Sequence, residues 1–284
     1  MINLDAATVL LQWSVGGLLF TWVTTRHREV GLGYGWMNRG VYMMLAGIAL
    51  FLGVRYDSAL VRDVSAALVV VTTGVVLGIS IARRRAGVSG QVEEHERRSA
   101  RVAAMTGIER DVAVAAPAGR EFDPRLDLLA PAVGVVGLVA GALDAGGNPT
   151  VSLLRTFVGA AFLGAITNAM LLGHWYLVQP GLPRRHISEL VNWVAWIWPF
   201  EVIVMLLPTG MIAVFTGEVD DGWNGMLGWM WLICAITTIG LVIVTKAALK
   251  ERQYSAVMAA TGLLYLAILT AFGQDLVARA VLSG

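Results

Sequence analysis

The 284-residue sequence has a single cysteine and little charge. Cys234 has no second cysteine with which to close an intramolecular disulfide, and no CxxC pair exists for redox chemistry or zinc. Charged residues make up only 14% of the chain, against about 25% in ordinary soluble domains. The net charge of +1 excludes a global basic field for nucleic acid. No Walker loop, HExxH helix or GxSxG elbow occurs, so the common nucleotide-hydrolysing, zinc-protease and serine-hydrolase classes find no support. Lipidation boxes are missing too, and so is a basic stretch ahead of the first apolar run; that run is expected to be a retained helix rather than a leader.

What is present is apolar length. Hydrophobic residues reach 57% and the mean hydropathy is +0.69. Eight apolar segments run over about 6 to 25, 38 to 54, 59 to 82, 128 to 146, 151 to 178, 187 to 214, 226 to 247 and 254 to 281, each near the roughly 20 residues that cross hydrocarbon as a helix. They are too long and continuous for outer-membrane barrel strands. The expected fold is therefore all-α, a polytopic bundle of about eight transmembrane helices forming one domain in the cell membrane, with the bilayer as its first partner.

Charge orients that bundle, because loops rich in Lys and Arg resist translocation. With the N-terminus outside, seventeen of the twenty-one Lys and Arg residues fall in cytoplasmic connections, leaving only Arg55, Arg62, Arg155 and Arg279 outside. Both termini are then expected on the non-cytoplasmic side. The longest connection, 83–127, is polar and cytoplasmic; within it, 91 to 105 is compatible with a surface helix against anionic lipid or with a solvated loop. A four-plus-four repeat is suggested only by Trp22 and Asn38 against Trp175 and Asn192, and chance is the simpler explanation. The segment LLGHWYLVQPGL is similar to stretches of bacterial multi-pass membrane proteins, a likeness that implies no activity.

Residues that could carry chemistry concentrate between Thr167 and Glu201. The turn GlnProGlyLeuPro forces the two helices around it into an antiparallel pair, placing His174 and His186 at similar depth near the cytoplasmic interface. Two such histidines can ligate a haem iron or hydrogen-bond a quinone. Glu189 shares a helical face with His186, Trp193 continues it, and His27 lies on the same side. These residues fit an interfacial belt of aromatics and anchoring cations equally well.

Glu201 stands about 15 residues into its helix, roughly 22 Å from His186 along the axis. A charge in the membrane costs about 2.5 kcal/mol or more, so it is a functional candidate by default. Pro199 just before it frees a backbone carbonyl, and Asn168 and Thr167 are its expected partners in binding a proton or substrate, or in structural hydrogen bonding. Arg155 is expected near the outer end with Asp275 or Asp144 in a structural pair. Asp123 and Asp127 have a DxxxD spacing, but Pro124 and the lack of a second acidic cluster speak against a magnesium site. Three functions follow as expectations: an accessory or electron-transfer-linked respiratory subunit with a haem or quinone site at His174, His186, Glu189 and Trp193; a secondary or proton-coupled transporter using Glu201, Asn168 and Thr167; or a membrane scaffold or assembly factor. Association with other membrane subunits or with a second copy is compatible with each.

Overall fold

The computed structural model describes residues 6–106, 119–208, 210–251 and 253–283. The first five residues, on which the leader reading partly rests, and 107–118 of the long connection lie outside the described residues. The fold is all-α, with no strand among the described residues: α1 (Ala6–Thr25), α2 (Leu32–Tyr56), α3 (Leu60–Ala82), α4 (Ser89–Thr106), α5 (Leu129–Asp144), α6 (Pro149–Val178), α7 (Arg185–Leu206), α8 (Gly210–Thr216), α9 (Met226–Lys250) and α10 (Tyr254–Ser283). Eight helices are long and apolar enough to cross a membrane, the fourth of them combining the 3₁₀ turn Pro124–Leu128 with α5. The protein is a multi-pass membrane protein.

Two boundaries differ from expectation. α2 begins at Leu32 rather than near 38, its first turns held by packing of Tyr34 and Arg39 despite three glycines. The apolar run 187–214 does not form one helix: Pro208 disfavours helical backbone at the residue before it, Leu207 is extended (φ −90°, ψ 149°), and the chain restarts as the short α8. Within the long connection, 91–105 is helical as part of α4.

Helices α1, α2, α3 and α5 form a ring in which each packs on its neighbours, and α6, α7, α9 and α10 form a second ring in the same order. Any four successive antiparallel helices closing on themselves pack in this order, so the shared order does not by itself establish a four-plus-four repeat. The rings join along α1 and α6, where Gly16 and Gly164 let the two backbones meet; a side chain at Gly16 would strike the Ala160 carbonyl, and one at Gly164 would strike the backbone of Gly16. At one end, here the basic end, the connections interlock: Arg28 pairs with Glu121 at 3.0 Å, Gln179 bonds the backbone of Gly31 and Glu29 at 2.9 Å each, and Arg184 reaches the Glu251 and Gln253 carbonyls. The start of α1 lies at the opposite end, where Thr8 meets Arg62.

The turn before α9, also at that opposite end, is organised by Asp221. Its Oδ1 accepts from the backbone N–H groups of Trp223 at 2.9 Å and Gly225 at 2.8 Å, and its Oδ2 from Leu227 at 2.8 Å. This satisfies donors that the first turn of a helix leaves open. Desolvation pushes the Asp221 carboxyl up, but these donors outweigh it and hold the group below its ordinary 3.8. A depressed carboxylate stabilises above its unfolded value and loses that contribution as pH falls through the folded one. Hydrogen-exchange protection of the Gly225 and Leu227 amides should therefore be steady above pH ~4, fall on further acidification, and be low at every pH in Asp221→Asn; unchanged protection in that variant would refute the role.

Candidate functional site

The basic end holds the histidine candidates. His186, at the first turn of α7, is buried with its Nε2 2.7 Å from Glu29 Oε2, while Nδ1 has no hydrogen-bond partner among the described residues. Arg185 also pairs with Glu29, and Arg26 with Glu189. His27 stands 3.7 Å from Glu189 and stacks at 5.7 Å on the His186 ring. His186, Glu189 and His27 are thus brought together, as a clasp tying the α1–α2 connection to α7. His174 is not part of it: it is exposed on α6, its Nδ1 3.4 Å from the Tyr265 hydroxyl. Trp193 is half exposed, its ring edge on Phe20 at 6.0 Å, and borders an open groove of about 800 Å³ with Arg185, Glu189, Asn192, Trp196 and Phe200. No group of three His, Cys, Asp or Glu residues placed to hold a metal ion occurs among the described residues.

The two other predicted partners of Glu201 serve the joint between the rings. Asn168 is fully buried; its amide nitrogen donates to the Gly17 carbonyl at 2.9 Å and its oxygen accepts from the Tyr34 hydroxyl at 3.1 Å. It also donates to Tyr42 at 2.8 Å. Thr167 accepts from the Trp13 indole at 2.8 Å and donates to the Leu163 carbonyl at 2.6 Å. Neither is bonded to Glu201. Their place near the middle of α6 is far along the axis from the turn of α6 that meets Glu201.

Glu201 instead belongs to a cluster of four charges contributed by α6, α7 and α10. It is 0% exposed, neither carboxylate oxygen meets an N–H or O–H donor among the described residues, and the carboxyl of Asp275 lies within hydrogen-bond reach, so that a proton on either acid bridges the two. The charged groups acting on it are Asp275, Arg279 and Arg155. Arg155 donates Nε to the Val204 carbonyl at 2.9 Å and Nη2 to the Leu207 carbonyl, two acceptors released where α7 ends. Arg279 donates Nε to Asp275 Oδ1 at 2.7 Å and Nη2 to the Arg155 carbonyl at 3.0 Å. Gly159 has no side chain to keep Arg279, Gln12 and Asp275 from its backbone, and a Cβ there would strike all three. Arg279 Nη1, Asp275 Oδ2 and both amide atoms of Gln12 remain without partners among the described residues.

No protein-family model, curated protein or solved structure matches this chain. The site is therefore read from its own geometry. Asp275 pairs with Arg279 rather than with the expected Arg155, and Asp144 is exposed. The cluster is buried rather than interfacial. Besides the depth of Glu201, its sequence signal is the i, i+4 spacing of Asp275 and Arg279 inside an apolar segment. Arg279 and Gln12 were not among the residues that the sequence pattern singled out.

Two other buried charge pairs, Arg39 with Asp127 and Arg62 with Asp63, satisfy each other. Arg39 holds Asp127 through two bonds of 2.7 and 2.8 Å, with Ser80 at 3.3 Å and the Phe122 ring beneath the guanidinium. Asp123 caps the 3₁₀ turn through the Arg125 N–H at 3.1 Å, so both members of the DxxxD spacing have structural roles. Removing one partner of a buried pair leaves the other charge stranded, which costs about 3–5 kcal/mol. Arg39→Ala should depress the thermal unfolding midpoint in detergent sharply, and Arg39→Leu with Asp127→Leu should recover much of the loss; equal loss in both would argue against the pair as the cause.

Proposed function

We propose that the protein is a secondary membrane carrier coupled to protons, with Glu201 the group that takes up and releases the proton. The observation that supports this reading most is the Glu201 carboxyl itself, fully buried and without an N–H or O–H donor among the described residues, facing a second acid, Asp275, with which it can share a proton, and two guanidiniums whose strongest bonds are made elsewhere. Evolution rarely keeps an intramembrane acid in such a state for packing alone, because an apolar side chain of similar size would fill the volume without the insertion penalty of about 2.5–3.5 kcal/mol. A proton is the smallest species that changes the charge of the cluster, and Pro199 two residues earlier loosens the α7 ladder next to the acid. The charge asymmetry of the connections supports placing the basic end in the cytoplasm, with the cell membrane as the proposed location.

The test is an infrared pH titration of the full chain in liposomes. A protonated-carboxyl band should vanish as pH rises in the wild type, be missing in Glu201→Gln, and return at a shifted frequency in Glu201→Asp. Identical titrations for the wild type and Glu201→Gln would overturn the assignment.

A second reading, an electron-transfer-linked subunit binding haem or quinone, draws support from the unpartnered Nδ1 of His186 and from the aromatic groove that Glu189 and Trp193 border. The exposed His174 and the bond from His186 Nε2 to Glu29 favour it less. An absorption spectrum with a Soret band, or extractable quinone, that is lost in His186→Ala would decide for it; purified protein carrying neither would eliminate it.

A further inference from the structure

The charge count around Glu201 carries a second step, which rests on the reading of Glu201 as the proton carrier. With both acids ionised, Arg155, Arg279, Glu201 and Asp275 sum to zero. A proton on Glu201 leaves one positive charge uncompensated in a buried setting, where a lone charge is strongly disfavoured. The groups still free to bind are informative about what restores the balance. Arg279 is 3% exposed and keeps Nη1 without a partner, while Gln12, 0% exposed, keeps both amide atoms free among the described residues. Gly159 brings these two side chains to the same point on α6, beside the Asp275 carboxylate that faces Glu201. Arg155 is anchored on the Val204 and Leu207 carbonyls and contributes charge more than hydrogen bonds. A second cation entering beside two guanidiniums would deepen the imbalance, whereas an anion removes it and supplies acceptors for the idle donors.

We propose that the species carried with the proton is a small monovalent anion, held by Arg279 Nη1 and the Gln12 amide beside Glu201. The proton adds to a Glu201 oxygen as the anion arrives and leaves when it departs, so the loaded and empty sites are both neutral and no other bond is made or broken. The groups that set this coupling are Arg155 on α6 and Asp275 and Arg279 on α10, which act on Glu201 of α7, and Gln12 on α1, which meets Arg279 and Asp275 at Gly159.

Coupled binding is read as proton uptake from weakly buffered solution when sodium chloride or sodium nitrate is added to the purified full chain, with sodium sulfate at equal ionic strength as control. The wild type should take up about one proton per chain with either monovalent salt and none with sulfate. Glu201→Gln should abolish the uptake, and Gln12→Leu should raise the half-maximal salt concentration by about tenfold while leaving the infrared titration of Glu201 in place. Equal uptake with all three salts, no uptake in a wild type whose Glu201 still titrates, or an unshifted Gln12→Leu would each overturn the anion proposal alone. Absence of a titrating Glu201 would overturn the carrier reading beneath it.

Discussion

The contact between α1 and α6 at Gly16 and Gly164 sets the position of everything else in the bundle. Two helices that meet backbone to backbone bring the polar groups of either side within reach of the other, and in a medium without water those groups must find partners there. One direction along the seam leads to Asn168, whose amide is held by the Gly17 carbonyl, Tyr34 and Tyr42. The other leads to Gly159, where Gln12 from α1 meets Arg279 and Asp275 from α10. The first junction is saturated with hydrogen bonds and the second is not. That difference is what marks the second junction, and not the first, as the candidate site.

The same contrast runs through the buried charges. Arg39 and Asp127 satisfy each other in a two-bond pair, and Arg62 bonds Asp63 at 3.0 Å near the start of α3. Each resembles a sealed rivet between neighbouring spans. Around Glu201, two guanidiniums divide their donors between backbone carbonyls and a single carboxylate, leaving Glu201 facing the Asp275 carboxyl with no N–H or O–H donor among the described residues. The arrangement depends on the early end of α7. Because Pro208 stops the helix, Val204 and Leu207 present carbonyls that capture Arg155 and draw it away from the acid it would otherwise neutralise.

The two rings also share a clasp at the basic end, where equivalent connections meet: Glu29 from the α1–α2 connection holds Arg185 and His186 at the start of α7, while Glu189 holds Arg26. The charge cluster lies toward the far end of α7 from this clasp. The two rings are thus packed along one seam and tied at the basic end, with the buried charge cluster toward the other.

Periodicity and length in the sequence determined that the chain is a helical membrane protein with eight crossings, because a bilayer demands long apolar helices whatever their neighbours are. They also identified Glu201 as anomalous and drew attention to His186, Glu189, Asn168 and Thr167. Only the tertiary structure decided which of these meet. His174 and His186 share a depth but occupy different faces, and depth is legible from residue counts while facing depends on packing. Asn168 and Thr167 were assigned to Glu201 because they are polar and near in sequence; the seam with α1 claims them first. Asp275 and Arg155 read as interfacial because they lie near helix ends, whereas both are buried among the packed helices. Sequence distance to a helix end measures position along one axis, and burial is set by the helices packed around it.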